Sequence, residues 1–151
     1  QNLDIYQVNC TYYSALGCND DAYIAARTIQ FFCPGIPQVY YVGLLAGEND
    51  IELVERTRLG RNINRHNFTL EEIRDAVKKP VVQRLLKLME FRNSYPAFDG
   101  EFNLFKSKNT ELIIEWVKND YTATAHIDTG TFRSRITYSD PVASRVVEFD
   151  I

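Results

Sequence analysis

The sequence predicts an α/β segment followed by a small antiparallel β domain, on three observations. Between residues 19 and 98, apolar side chains recur at helical spacing around one almost continuous β-branched and aromatic run, Ile36 to Val42. From Phe102 onward the period drops to two, the pattern of half-buried strands. The turn-rich stretch Pro96 to Gly100 separates the two regimes, which divides the chain into residues 1–98 and 99–151.

Residues 1–18, rich in Tyr, Asn and Gly, read as a loop. Asn19-Asp20-Asp21 then offers an N-cap and acidic residues for a first helical turn, and Ala22, Ala25, Ala26, Ile29 and Phe32 follow at helical spacing. Pro34-Gly35 stops that helix. Ile36–Val42 has the composition of a parallel strand covered on both faces, with Gln38 needing a buried partner. The connection over residues 43–68 is long enough to suggest a ligand loop, with one short helix at Asp50 to Thr57.

Thr69-Leu70-Glu71-Glu72 has the capping-box pattern, and Leu70, Ile73 and Val77 are expected on the inner face of the helix that follows. Pro80 fits the first position of a further helix, whose core stripe is expected to be Val82, Leu85, Leu86 and Met89. Asn93 to Pro96 ends it. The alternating sets beyond are Leu112, Ile114 and Trp116; Tyr121, Ala123, Ala125 and Ile127; Phe132 and Ile136; and Val147 and Phe149. Turns are expected at Lys118-Asn119-Asp120 and Asp128-Thr129-Gly130.

With 45% apolar and 25% charged residues, the 151-residue chain can bury a core of its own. A net charge of −3 with scattered Lys and Arg argues against nucleic-acid binding. No apolar run reaches the ~20 residues that cross a bilayer, so a cytoplasmic location is expected. Cys10, Cys18 and Cys33 are odd in number and lack paired Cys-x-x-Cys spacing, which favours free thiols in a reducing compartment over zinc. His66 reads as a residue that orients its loop, and His126 alternates with apolar neighbours and is expected to face solvent. Neither has a second metal-type ligand at an informative spacing, so no metal site is expected.

Three segments carry a family resemblance: Asp4-Ile5-Tyr6-Gln7-Val8-Asn9, the run Pro34 to Gly43, and Gly60-Arg61-Asn62-Ile63-Asn64-Arg65-His66. Together they resemble the sucrose phosphorylase group of glycoside hydrolase family 13, in the α-amylase clan. The resemblance extends from Asp4 to about Gly100. It implies that residues 1–98 are the final portion of a (β/α)8 barrel and residues 99–151 a C-terminal β domain. The opening without Met, on what resembles the middle of an enzyme loop, reads as a C-terminal fragment.

The same resemblance implies site residues. Arg61 would hold a hydroxyl of the glucosyl unit, whereas the residues alone favour an ion pair of Arg61 with Glu55 or Asp50. Asp4, Tyr6 and Gln7 would belong to a mobile acceptor loop, with Asp4 facing sugar and Tyr6 facing phosphate; the plain alternative is a capped turn with a buried Tyr. Asn9, Tyr12 and Tyr13 are candidates for the wall of a sugar cleft, or for core. The nucleophile and acid of a retaining reaction, about 5 Å apart, have no matching motif here. Asp20 and Asp21 read as helix-start acids, so no catalytic residue is assigned.

The function implied is that of a retaining glucoside phosphorylase, transferring glucose from sucrose or a related α-glucoside to phosphate. Inorganic phosphate would be the co-substrate, with no cofactor. A homodimer or the remaining portion of the same enzyme would be the macromolecular partner. Sucrose 6′-phosphate and glucosylglycerate phosphorylases share this framework. Two other classes stay open: a phosphate-independent hydrolase or transglucosidase of the clan, and a noncatalytic interaction module. A fragment without the reacting carboxylates is expected to be inactive alone.

Overall fold

The computed structural model describes residues 8–105 and 107–151. The chain divides into two units. One comprises the described residues through Tyr23 together with Gln38–Gln83, and the other comprises Ile24–Pro37 with Arg84–Ile151.

In the first unit, α1 (Tyr12–Ala15) is a single turn within the stretch expected to be loop, capped by Thr11. Helix α2 (Asp20–Phe32) begins where expected, because the Asn19 side chain accepts the Ala22 amide at 2.9 Å. The segment expected to be a covered parallel strand is not one. Residues 36–40 are irregular, and Tyr41–Leu44 forms a one-turn helix, α3. Ile36 is 90% exposed and Gln38 is exposed as well. A parallel strand needs neighbours to take its amides and carbonyls, and the described residues contain no strand beside this segment. β-propensity alone does not hold it extended in a sheet.

Helix α4 (Ile51–Thr57) is capped by Asp50, and a 3-10 segment, Gly60–Asn64, follows. Helix α5 (Leu70–Ala76) carries the complete capping box of Thr69 and Glu72. Its buried residue is Ala76, while Leu70, expected inside, is 73% exposed. Position N1 of so short a helix lies at its solvent end, and the apolar side chain found no surface to cover.

Helix α6 (Pro80–Ser94) starts at the proline, as expected. Its buried stripe is Val81, Val82, Leu85, Leu88 and Phe91, and Leu86 lies outside it. The sequence pattern fits two overlapping stripes one position apart, and packing selects this one. Helix α2 is buried nearly all round, with Tyr23, Ile24, Thr28, Phe31 and Phe32 joining Ala22 and Ala25 in the core.

The second unit is built on a five-stranded antiparallel meander in the order β1-β2-β3-β4-β5. Its strands are Glu101–Phe105, Glu111–Lys118, Tyr121–Asp128, Arg133–Asp140 and Arg145–Phe149. Asn119 turns the β2–β3 hairpin with φ 54°, a left-handed conformation that Asn tolerates better than branched residues. The Asp128 carboxylate accepts the Gly130 amide at 2.8 Å in the next turn. Phe132, expected in a strand, sits in that turn at φ 60°.

Register places Ile114 opposite Ala125 and Ala125 opposite Ile136, so these three make one row of the inner face. That face is closed by an aromatic cluster in which Phe91 stacks on Phe149 and meets Phe98 edge-on. Two side chains cover the end of α2: Arg92 donates to the Phe31 carbonyl at 2.8 Å, and the Trp116 indole to the Phe32 carbonyl at 2.7 Å. The final carbonyls of a helix have no partner within it, and these donors supply one. At the start of β1, a Cβ on Gly100 would lie 2.0 Å from the Val117 carbonyl oxygen, so only glycine fits between the strands.

Candidate functional site

Within the first unit, charged and aromatic groups gather where α4, the 3-10 segment and α5 begin. Asp50 organises one side. Its Oδ1 accepts the Leu53 amide at 2.8 Å, capping α4, and its own amide donates to the Ile63 carbonyl at 2.8 Å. Its Oδ2 meets His66 Nδ1 at 2.6 Å. On the other side of the ring, His66 Nε2 meets Glu72 Oε1 at 3.1 Å. Glu72 Oε2 accepts the Thr69 amide at 2.6 Å, completing the cap of α5.

One imidazole therefore joins the caps of two helices. The bond to Asp50 raises the pKa of His66, with the Glu72 bond adding to it and partial burial opposing it. Asp50 is held below its ordinary range, chiefly by His66 and then by the Leu53 amide. Glu72 is held low by the Thr69 amide and hydroxyl, and then by His66. Phe68 packs edge-on against the His66 ring with centroids 4.7 Å apart, and the Tyr41 hydroxyl donates to the His66 carbonyl at 2.9 Å. The expectation that His66 orients its loop agrees with this geometry.

Arg61 lies on the 3-10 segment that this arrangement holds. The Ile63 carbonyl fixes the segment from the Asp50 side, and the Asn62 side chain donates to Thr57 Oγ1 at 2.9 Å. Arg61 itself is exposed and makes no ion pair among the described residues. Neither of the alternative partners, Glu55 and Asp50, pairs with it among the described residues. A guanidinium on a fixed backbone, with its five donors uncommitted among the described residues, is suited to hydroxyl or anion recognition. An open cleft of about 450 Å³ lies at the Asp50–His66 pair, lined by Glu48, Asp50, Glu52, His66, Phe68 and Lys79, among others; Arg61 is not part of its lining.

Of the other sequence-derived site residues, Asp4, Tyr6 and Gln7 lie outside the described residues. Tyr13 donates to Asp20 at 2.6 Å, and Tyr12 and Tyr13 both meet Tyr23 edge-on. Burial and Asp20 push the Tyr13 phenol pKa up. The Thr11 amide donates to the Asn49 side chain at 2.6 Å, which ties this segment to the approach of α4. His126 faces solvent, as expected. Among the described residues, no group of three or more His, Cys, Asp or Glu side chains is arranged to hold a metal ion. Around His66 the reason is visible: the ring lies between its two carboxylates, so the three groups do not converge on a common point.

The contribution of Asp50 and Glu72 was missed by sequence reasoning. Glu72 was read only as part of a capping box, and Asp50 only as the start of a short helix and an alternative partner for Arg61. The signal was the placing of His66 between two helix starts, each with an acidic residue, in a connection whose length suggests a ligand loop.

No protein-family model matches the chain. It is 58% identical over 136 residues to a sucrose 6(F)-phosphate phosphorylase from Thermoanaerobacterium thermosaccharolyticum, covering 90% of this chain and 28% of that protein. It is 57% identical over 115 residues to a sucrose phosphorylase from Bifidobacterium adolescentis, covering 76% of this chain and 23% of the relative. The crystal structure of sucrose 6F-phosphate phosphorylase from Thermoanaerobacter thermosaccharolyticum superposes with a TM-score of 0.93 at 54% identity, covering 96% of this chain and 29% of that one.

These relatives are glucoside phosphorylases. Across the matched region, the chain is homologous to sucrose phosphorylase and its close relatives, and it spans less than a third of their length. Among the described residues, no helix is long and apolar enough to cross a membrane.

Proposed function

We propose that the chain is the C-terminal portion of a retaining glucoside phosphorylase that transfers glucose from sucrose or a related α-glucoside to inorganic phosphate, giving α-glucose 1-phosphate. The observation that carries this reading is the 58% identity over 136 residues, which includes 90% of the chain. Residues 1–98 would complete the (β/α)8 barrel of family 13, and residues 99–151 form the accompanying β domain. The exposed Ile36–Tyr40 segment is consistent with this reading, since a barrel strand needs neighbours from elsewhere in the barrel. The location would be cytoplasmic, with no cofactor and with a second copy as the macromolecular partner.

In this reading Arg61 donates to a hydroxyl of the glucosyl unit. Asp4, Tyr6 and Gln7 line the acceptor side, Tyr6 donating to phosphate and Asp4 accepting from the sugar. The nucleophile and the acid come from outside this chain. The first displaces the anomeric substituent, the second protonates the departing oxygen, and phosphate intercepts the glucosyl enzyme.

The test is phosphate-dependent release of α-glucose 1-phosphate from sucrose and sucrose 6F-phosphate by the complete gene product. Turnover that needs phosphate supports the proposal. Glucose release at the same rate without phosphate would replace it with the hydrolase or transglucosidase reading.

A further inference from the structure

We propose that His66 is a positioning residue for Arg61, a proton-dependent clamp that joins the caps of α4 and α5 across the connection carrying the arginine. The inference rests on the phosphorylase reading for its consequence in catalysis, and on geometry alone for the clamp. Both ring nitrogens face carboxylates, Asp50 at 2.6 Å and Glu72 at 3.1 Å. Only the imidazolium has a proton for each; a neutral ring keeps one N–H and turns a lone pair toward the other carboxylate. The shorter Asp50 contact retains the proton, so the Glu72 arm opens.

The surroundings make this a clamp on Arg61 in particular. Asp50 also binds Ile63, two residues from Arg61, and the carbonyl of His66 accepts from Tyr41. Glu72 keeps the start of α5 through its other oxygen. Protonation of one ring thus sets whether the connection is tied at both ends or at one. Glu48, Glu52 and Lys79 line the cleft with the ring, Arg56 acts on Asp50, and Arg65 acts on Tyr41, whose hydroxyl meets the His66 carbonyl. The two carboxylates favour the charged ring, and partial burial opposes it.

Glu72→Gln isolates the effect. A Gln completes a capping box as Glu does, and its amide can donate to the lone pair of a neutral imidazole, so the clamp no longer needs the second proton. Two measurements decide the matter. In the complete gene product, the His66 ring, assigned by its loss in His66→Asn, is titrated by NMR together with the amides of Arg61 and Asn62. His66 is expected to titrate above its ordinary value, with the two amides shifting at the same midpoint. E72Q is expected to lower that midpoint and abolish the amide response. Amides that ignore His66, or a response that survives E72Q, would overturn the clamp.

In the complete gene product, kcat/KM for sucrose or sucrose 6F-phosphate is followed from acid to alkaline pH. A fall of about fivefold or more across the titration of His66, a size ordinary for coupling between sites, is expected to disappear in E72Q. The same fall in E72Q would overturn the link to Arg61. Absence of phosphorolysis at every pH would instead remove the proposed function, while the ring titration would still decide the clamp.

Discussion

Asp50 and Glu72 each cap a different helix with one carboxylate oxygen and hold opposite sides of His66 with the other. Removing Asp50 therefore removes two things at once. Asp50→Ala is expected to lower stability by about 1–3 kcal/mol, through a lost N-cap and a charged hydrogen bond that solvent partly screens at the half-buried His66. Asp50→Asn keeps a cap oxygen for the Leu53 amide but loses the charge facing the ring, and should cost less. Urea unfolding of both variants separates the contributions; equal losses would show that the cap carries nothing.

The same three groups set a pH window. His66 has its pKa raised from 6.5 in the folded protein, so its contribution is complete below that value and is lost as pH rises through the raised one. Asp50 and Glu72 are lowered from 3.8 and 4.5, so theirs is complete above those values and is lost as pH falls through the depressed ones. Stability from this cluster is expected to be greatest between about pH 4.5 and 6.5. Urea midpoints measured across pH should show a decline on the alkaline side that His66→Asn abolishes; a decline that persists in the variant would assign it to other groups.

Trp116 presents a separable test in the second unit. Its indole nitrogen donates to the Phe32 carbonyl at 2.7 Å, and both residues are buried. Trp116→Phe keeps an aromatic ring but leaves that carbonyl without its donor, at an expected cost of about 1–3 kcal/mol. A loss below about 0.5 kcal/mol, the floor of a typical net hydrogen bond, would mean that Arg92 or water takes over the end of α2.

Local signals explain which parts of this fold were legible. Asn19, Thr69, Pro80 and the turn at Asn119 act on the nearest few amides, and each marks its boundary wherever the rest of the chain goes. The alternation of Ile114, Trp116, Ala123, Ala125 and Ile136 likewise survives, because a meander pairs each strand with its neighbour in sequence. Ile36–Val42 failed for the opposite reason: a parallel strand depends on partners far away in sequence. Leu86 failed because helical spacing admits neighbouring stripes and only packing chooses between them, and Leu70 because it stands at the first position of a short helix. At the site, Arg61 and His66 were visible as residues, but the clamp required distances across 16 and 6 positions that no local pattern encodes.

Arg61 gives the most direct test of the functional reading. It makes no ion pair among the described residues, so its removal should leave the stability of this unit within the ±0.5 kcal/mol of an ordinary surface change. On the proposed function, Arg61→Ala in the complete gene product is expected to weaken use of the glucosyl donor by about 1–3 kcal/mol, the loss of a charged hydrogen bond to a sugar hydroxyl. Arg61→Lys should recover little, since an ammonium does not reproduce the guanidinium fork. Donor kcat/KM for the two variants, set beside their urea midpoints, distinguishes recognition from support. Unchanged kinetics would remove Arg61 from the sugar site, and a large loss of stability would make it a structural residue instead.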